Sequence, residues 1–144
     1  MNTSNRNEKE PERSAEQDRK KMVRDFFGLV MQGRQMEGLP YFSPDCVQHN
    51  PYVKGGMKEL FDSMAAVQRS APMYSDPDFE IRSLIADGDM VAAYTVLRGS
   101  RSDPGAGGLR QVHLFRFGKD EKIVEYWDIS QMIGSGMPNV AGAF

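Results

Sequence analysis

Apolar residues recur at helical spacing in two stretches in the first half of the chain. The first stretch follows the sequence SAEQ at Ser14–Gln17, which is typical of a capping box at a helix N-terminus, and it ends near Gly33. Its three- and four-residue spacing predicts one wide apolar stripe, formed by Met22, Val23, Phe26, Phe27, Val30 and Met31. The second stretch begins after Gly55–Gly56 and predicts another amphipathic helix, whose apolar face is formed by Met57, Leu60, Phe61, Met64 and Val67.

The second half of the chain changes to the residue pattern of β-strands. A hairpin is predicted around Asp87–Gly88, with one strand starting at Phe79 and the next over Met90–Arg98. Two more strands are predicted over Leu109–Phe117 and Lys122–Gln131, joined by the polar turn GKDE. Helices followed by antiparallel strands indicate an α+β fold, in which the helices pack on one face of a curved, mostly antiparallel sheet.

Chain length and the polar N-terminus indicate one domain with a short tail. The chain has 144 residues, and a single domain usually has about 100 to 200. Residues 1–13 are almost entirely polar, so we expect them to be disordered and the α+β domain to occupy residues 14–144. A domain of this size can bury a core and still contain one interior pocket.

Charge and cysteine content narrow the choice of partners and compartment. The chain has 18 Lys and Arg against 20 Asp and Glu, a formal net charge of -2, which lacks the basic excess that nucleic acid requires. The single cysteine, Cys46, can form neither an internal disulfide nor a paired zinc site. There is no apolar run of about 18 residues that would span a membrane. We therefore expect a cytoplasmic protein that contains no structural zinc and binds neither nucleic acid nor membrane.

Strand alternation places four polar side chains on one face of the predicted sheet. On one strand Gln111 and His113 share a face, and on the next strand Tyr126 and Asp128 do so. A four-residue turn that closes the hairpin would pair His113 with Tyr126 and Gln111 with Asp128. A hairpin loop one residue longer or shorter, or a bulge, would place the side chains of the second strand on the opposite face of the sheet.

Each of these polar residues has a structural interpretation beside the functional one. An isolated histidine on a strand more often bonds to its neighbours than takes part in a reaction, and an aspartate near a strand end commonly forms a surface ion pair. His49 and Asn50 are candidates for substrate contact, although Asn50 directly before Pro51 is also typical of a turn. The convergence of His113, Tyr126 and Asp128 favours a site.

Four blocks of the sequence resemble the SnoaL-like polyketide cyclases. These blocks are YFSPDCVQHNPYVKGG (Tyr41–Gly56), IADGDMVAAY (Ile85–Tyr94), HLFRF (His113–Phe117) and KIVEYWDISQ (Lys122–Gln131). The family lies in the superfamily of nuclear transport factor two and ketosteroid isomerase. The resemblance implies an open cone, formed by a curved sheet with helices packed against it and one interior pocket, and a homodimer formed through the outer sheet face.

The same resemblance implies roles for individual residues. In the polyketide cyclases of the family, the aspartate that corresponds to Asp128 is the acid/base in an aldol ring closure. The cyclases also carry a Q-x-H pair, which Gln111 and His113 match, and an asparagine at the pocket rim, which Asn50 matches. Many relatives have an E-H-W-D block where this chain has E-Y-W-D, with Tyr126 in place of the histidine.

Together these observations predict an enzyme with metal-free acid/base chemistry and no cofactor. Asp128 and His113 are the predicted catalytic residues, and the substrate is predicted to be a hydrophobic carbonyl compound that undergoes aldol-type cyclisation or isomerisation. The substrate contacts are predicted to come from Gln111, Tyr126, Asn50, His49, Phe115 and Phe27. The alternative is a non-catalytic module of the same fold that binds a ligand or a protein, and epoxide hydrolysis is a weaker third interpretation.

A dimer interface is predicted on the opposite face of the sheet. Strand alternation predicts an apolar patch there, formed by Val112, Leu114, Ile123, Trp127 and Ile129.

Overall fold

The computed structural model describes residues 9–71, 76–99, 103 and 105–144 of the chain. Two α-helices and a 3₁₀ helix precede or interrupt a run of five strands. In chain order the elements are α1 (Lys9–Met31), the 3₁₀ helix (Gln35–Tyr41), β1 (Phe42–Gln48), α2 (Met57–Ser70), β2 (Asp78–Asp87), β3 (Met90–Arg98), β4 (Gly108–Phe117) and β5 (Ile123–Ile133). Within the described residues, no helix is both long and apolar enough to cross a membrane.

The five strands form one open, mixed sheet in the order β1-β5-β4-β3-β2. The hairpin pairs β2–β3, β3–β4 and β4–β5 are antiparallel, and β1 alone runs parallel to its neighbour β5. The helices cover one face of this sheet, where aromatic rings of α1 and α2 meet those of the strands. This arrangement confirms the predicted α+β fold, an open cone with its helices on one face. The face turned away from the helices is called the outer face below.

Helix α1 has the predicted apolar stripe but begins earlier than predicted. Val23, Phe26 and Phe27 are buried against the sheet, as the spacing predicts. The helix begins at Lys9, so the prediction of a capping box at Ser14 is wrong, because Ser14 lies inside the helix. Lys, Glu and Arg favour helix, and two glutamates in the first turn interact favourably with its dipole. Of the tail predicted to be disordered, residues 9–13 are helical and residues 1–8 lie outside the described residues.

Helix α2 begins where the two glycines predict. Gly55 has a φ of 110°, a conformation that residues with a Cβ rarely adopt. The Gly56 backbone N–H donates to Oε2 of Glu59, which satisfies one of the free amides at the helix start. The first two turns of α2 contain its three buried residues, Met57, Leu60 and Phe61.

Strand β1 contains a proline, Pro44, in its first half. The strand is an edge strand, and its register with β5 breaks between Phe42 and Val47. An irregular edge strand tolerates Pro44, which lacks the N–H that a central strand needs. The regular pairing resumes at Val47 and Gln48, opposite Glu125 and Tyr126. As a result, the segment after β1 lies beside the middle of β5, where Asp128 is located.

Candidate functional site

The pairing of β4 with β5 brings His113 directly opposite Asp128. The predicted partner of His113 was Tyr126, which instead lies opposite Phe115, so the predicted pairs are wrong by two residues. The predicted face is nevertheless the observed one, because a shift of two residues leaves every side chain on the same side of a strand.

Two local features of the hairpin produce this shift. Phe117 pairs with Ile123 instead of Lys122, so the loop is one residue longer than predicted. Val124 is then an extra residue in β5, a bulge between the pairs Phe117–Ile123 and Arg116–Glu125. Each feature alone would move the β5 side chains to the opposite face of the sheet, and the two together leave them on the predicted face. The bulge also turns Ile123 into the core, where it is fully buried, so its predicted place on the outer face is wrong.

A small cavity lies between α1 and the inner face of the sheet and is called the inner cavity here. Its volume is about 60 Å³. Four polar side chains line one side of it, namely Gln111, His113, Tyr126 and Asp128. The other lining residues are apolar and come mainly from α1 and the strands: Phe26, Phe27, Val30, Met31, Met64, Phe79 and Leu97. The structure therefore places the four polar residues that strand alternation predicts on one cavity.

The two carboxylate oxygens of Asp128 have different surroundings. Oδ2 accepts a hydrogen bond of 2.7 Å from Nδ2 of Asn50. Oδ1 is buried and has no hydrogen-bond partner among the described residues. Burial raises the pKa of Asp128, and the hydrogen bond from Asn50 opposes part of this rise. A partly desolvated carboxylate with one free oxygen is chemically able to accept a proton from a molecule in the cavity.

Asn50 is held in the orientation in which it donates to Asp128. Its Oδ1 accepts a hydrogen bond of 2.8 Å from the backbone N–H of Tyr52. Since the amide oxygen is engaged there, Nδ2 is the atom directed at Asp128. The backbone N–H of Asn50 donates in turn to Oε1 of Gln48. The local turn therefore fixes which amide atom faces the carboxylate.

Gln48 braces the loop that carries Asn50. Its Nε2 donates to the backbone oxygens of Val53 and Gly55, at 2.8 and 3.0 Å, while its Oε1 accepts from Asn50. A single side chain thus joins the end of β1 to both ends of the loop. Gln48 is not among the site residues predicted from the sequence. The one sequence feature that indicates its role is its position directly before the HNP segment.

His113 is a buried neutral imidazole with a neighbour at each ring nitrogen. Nδ1 lies 2.7 Å from Oη of Tyr126, and Nε2 lies 3.2 Å from Oγ1 of Thr95. Burial lowers the pKa of His113 to about 3. A neutral imidazole has one N–H, so it donates to one of these hydroxyls and accepts from the other. This geometry favours a positioning role for His113 over its predicted role as a catalytic residue.

Tyr126 is fully buried between His113 and the aromatic core. Burial raises the pKa of its hydroxyl well above the usual value, and the charge of Asp128 raises it further. The phenol therefore remains protonated at neutral pH. Tyr126 lines the same cavity as the Asp128 carboxylate.

A second, more open depression lies beside the inner cavity and is called the outer groove here. Its volume is about 260 Å³. Met64, Gln111 and Asp128 line both spaces, so the two meet at the candidate base. The remaining residues of the outer groove come from the loop after β1, from α2 and from β5: Asn50, Tyr52, Val53, Leu60, Ser63, Val67 and Ser130.

Two predicted substrate contacts do not reach either space. His49 lies on the outer face, where its ring stacks on Trp127 at 4.5 Å and its Nε2 lies 2.8 Å from Oε2 of Glu125. It points there because it alternates with Asn50, which faces inward. Phe115 is fully buried against Phe26 and Phe27 and lines neither space, since it lies one inward position further along β4 than His113. These two predictions are corrected accordingly.

Thr95 is a site residue that the sequence analysis missed. It is almost fully buried on β3, paired in register with Gln111, and its hydroxyl reaches His113. The alternation of side chains along β3 could have identified Thr95 from the sequence. Among the inward positions Val91, Ala93, Thr95 and Leu97, it is the one residue with a polar side chain.

Several solved structures share this fold at low sequence identity. AclR, a hydroxylase candidate from Streptomyces galilaeus, is 20% identical with a TM-score of 0.64, over 81% of this chain and 90% of that one. A steroid delta-isomerase from Pseudomonas aeruginosa is 21% identical with a TM-score of 0.53, over 78% and 79%. The epoxide hydrolase/cyclase-like enzyme SalBIII, which has a role in pyran ring formation in the polyether salinomycin, is 23% identical with a TM-score of 0.60, over 83% and 96%.

The family of the chain follows from its sequence and agrees with this fold. No protein with a curated description matches the chain significantly. The family described as the SnoaL-like domain matches residues 23–126, which is well over half of the chain. The match includes His113 and Tyr126 and ends just before Asp128, so the role of Asp128 depends on the geometry of the site. On this match, the chain belongs to the SnoaL-like domain family.

Proposed function

We propose that this protein is an enzyme that carries out acid/base chemistry on an uncharged, hydrophobic carbonyl compound, with Asp128 as the acid/base. The observation that carries the proposal is Asp128 itself: its side chain lines a mostly apolar cavity, and its buried Oδ1 has no hydrogen-bond partner among the described residues. A purely structural aspartate would be expected to have both oxygens bonded or solvated. Enzymes among the proteins of similar fold, a steroid delta-isomerase and a cyclase-like enzyme, support the same class of chemistry.

The first step is removal of a proton from the carbon next to the substrate carbonyl. The proton moves to Oδ1 of Asp128, because Oδ2 already accepts from Asn50, whose Nδ2 can only donate. The electron pair of the broken C–H bond forms a carbon–carbon double bond, and the carbonyl π electrons move to its oxygen. The product is an enolate, and proton transfer to a carboxylate needs neither metal nor cofactor.

The developing enolate oxygen is stabilised by the hydroxyl of Tyr126. If Thr95 donates to Nε2 of His113 and the Nδ1–H donates to Tyr126, the phenol hydrogen is free to point into the cavity. This chain of donors explains why a histidine with a pKa of about 3 is buried next to a phenol. A donor fixed in place before the reaction, in a site that excludes water, stabilises developing charge more than water does.

The second step returns the proton held by Asp128. In an isomerisation the enolate is protonated at another carbon, and in an aldol cyclisation its carbon attacks a second carbonyl, whose oxygen takes up a proton. In both cases Asp128 acts first as base and then as acid. Gln111, whose Nε2 donates to Ser130, lies where the two spaces meet and is suited to bind an oxygen of the substrate.

The proposal is tested by a base-catalysed reaction that needs no knowledge of the natural substrate. Ring opening of 5-nitrobenzisoxazole starts with removal of its C–H proton, breaks the N–O bond and releases a coloured phenolate. We expect the wild type to accelerate this reaction and Asp128→Asn to lower kcat/KM by about 10²- to 10⁴-fold, the usual loss for a general base.

A matched control separates the base from a general effect of charge. Asp25 is an exposed aspartate on α1 that pairs with Lys21 and does not line the cavity, so Asp25→Asn removes the same charge outside the site and should leave the rate unchanged. Melting temperatures of both variants report on folding. Equal rates for the wild type and Asp128→Asn would eliminate Asp128 as the base.

The alternative function is that of a non-catalytic binding module. One observation favours it: the inner cavity, about 60 Å³, is far smaller than the roughly 300 to 1,000 Å³ of most ligand pockets. Under this alternative, the hydrogen bond between Asn50 and Asp128 only ties the loop after β1 to β5, and the wild type shows no acceleration above Asp128→Asn. The kinetic comparison therefore separates the two functions.

A further inference from the structure

The size of the two spaces restricts how a ligand can bind at Asp128. The inner cavity, about 60 Å³, has room for only a few water molecules. The outer groove has about 260 Å³. Ligand pockets generally start at about 300 Å³, so only the two spaces together reach that range. A ligand that fills this site therefore extends through both and passes Asp128.

The charges around the two spaces restrict the ligand to an uncharged molecule. Among the described residues that line either space there is no lysine and no arginine, and Asp128 is the one carboxylate. An anionic ligand would be repelled by Asp128 and would lose its hydration without gaining a counter-ion. His113 does not change this conclusion, since its low pKa keeps it neutral.

The outer groove has two different walls. On the α2 side the lining is mostly apolar, with Leu60, Met64 and Val67 beside the hydroxyl of Ser63. The opposite side offers amide and hydroxyl groups, namely those of Asn50, Gln111 and Ser130. A molecule with one apolar edge and one edge that carries hydroxyl or carbonyl oxygens matches this groove.

Met64 lies where the groove and the cavity meet and lines both, as do Gln111 and Asp128. It lies on α2 and contacts both spaces, whereas Val67, one turn further along the same helix, lines the outer groove but not the inner cavity. Methionine is unbranched and adapts its shape to its surroundings. The volume of this side chain therefore sets the space available beyond Asp128.

We propose that the ligand of this site is an uncharged, elongated ketone that extends through both spaces. Its carbonyl lies at Asp128, a terminal group about the size of a methyl occupies the inner cavity, and its larger, oxygenated part lies in the outer groove. Met64 limits the size of the terminal group. This inference rests on the proposed function for the position of the carbonyl.

Binding of three naphthyl ketones tests the proposal without requiring turnover. The probes are methyl 2-naphthyl ketone, propyl 2-naphthyl ketone and 6-acetyl-2-naphthoate, with affinities measured by calorimetric titration. We expect the methyl ketone to bind at least about tenfold more tightly than the propyl ketone, because two methylenes have no room in the inner cavity. The carboxylate should bind at least about tenfold more weakly than the methyl ketone.

Two substitutions at Met64 and one matched control assign the size limit. Met64→Ala should reduce the preference for methyl over propyl to about threefold or less, and Met64→Phe should maintain or increase it. Val67→Ala removes apolar area from the same helix face outside the inner cavity, so it should weaken both ketones alike and preserve their ratio. Melting curves identify any variant that fails to fold. If Met64→Ala does not fold, Met64→Phe tests the size limit instead, because it adds volume at the same position.

The outcomes also separate this inference from the proposed function. Equal binding of the methyl and propyl ketones, tight binding of the carboxylate, or an unchanged ratio in folded Met64→Ala would each overturn it. The size preference together with no effect of Asp128→Asn on 5-nitrobenzisoxazole would keep the binding mode and refute the catalytic function. Loss of activity in Asp128→Asn together with no size preference would support Asp128 as the base and refute the binding mode.

Discussion

Acid should destabilise this protein through His113 well before its carboxylates are protonated. Burial lowers the pKa of His113 from 6.5 to about 3, so the folded state binds no proton there between these values while the unfolded state does. Stability contributed by a neutral buried histidine is complete above pH 6.5 and is lost as the pH falls toward 3. The slope approaches about 1.4 kcal/mol per pH unit.

The expected loss is measurable in a range where few other groups titrate. Between pH 7 and pH 5 the free energy of unfolding should fall by about 2 kcal/mol because of His113 alone, a large share of the about 5 to 15 kcal/mol typical of a domain. Glu37, Glu121 and Glu125 have lowered pKa values, so the stability they contribute is lost below this range. The assay is urea denaturation at pH 7, 6 and 5, followed by circular dichroism.

Two variants assign the effect to the buried histidine. His113→Gln keeps a hydrogen-bonding side chain but does not titrate, so its stability should change by less than about 0.5 kcal/mol over the same range. His49→Gln removes the other histidine, which lies on the outer face, and should retain the full loss. Asp128 is present in all three proteins, so any contribution from its raised pKa cancels in the comparison. A wild type that loses less than about 0.5 kcal/mol, or a His113→Gln variant that loses as much as the wild type, would refute the reasoning.

Three further predictions concern the site and the outer face. Asn50→Ala removes the hydrogen bond that lowers the pKa of Asp128, so the acidic limb of the kcat/KM profile for 5-nitrobenzisoxazole should move to higher pH; an unmoved limb would contradict this. Thr95→Val removes the hydroxyl at Nε2 of His113, which is the donor there in the proposed chain, so the imidazole ¹⁵N shifts should report a change of tautomer, and an identical pattern would disprove the chain. The outer face exposes Val112 and Ile129, at 38% and 58%, so we predict a homodimer there that Ile129→Glu converts to monomer; light scattering from a monomeric wild type would contradict it.

The sequence by itself determined the fold class and the face of the sheet that carries the site. Helical spacing in the first half predicts amphipathic helices, and the strand patterns in the second half predict a sheet. Each has one apolar side, and packing the helices on the sheet buries both. Strand alternation is equally local, since successive side chains point to opposite faces. Alternation therefore groups Gln111 with His113 and Tyr126 with Asp128, whereas the prediction that both pairs share one face depended on the number of residues in the hairpin.

The tertiary structure decided which of these residues touch and what each contact does. The pairing of His113 with Asp128 depends on a longer loop and on the bulge at Val124, whose effects on parity cancel, and no residue type at these positions requires either. Parallel pairing of β1 with β5 is a long-range contact, and it alone brings Asn50 to Asp128 and turns His49 to the outer face.

The electrostatic character of the site was also beyond the sequence. An aspartate has a raised pKa and a histidine a lowered one only if the surrounding side chains exclude water, and that depends on how α1 packs over the strands. Thr95 illustrates the limit. Its inward position followed from alternation, but its role at Nε2 of His113 required the register between β3 and β4, which is set by the whole sheet and not by the residues of either strand.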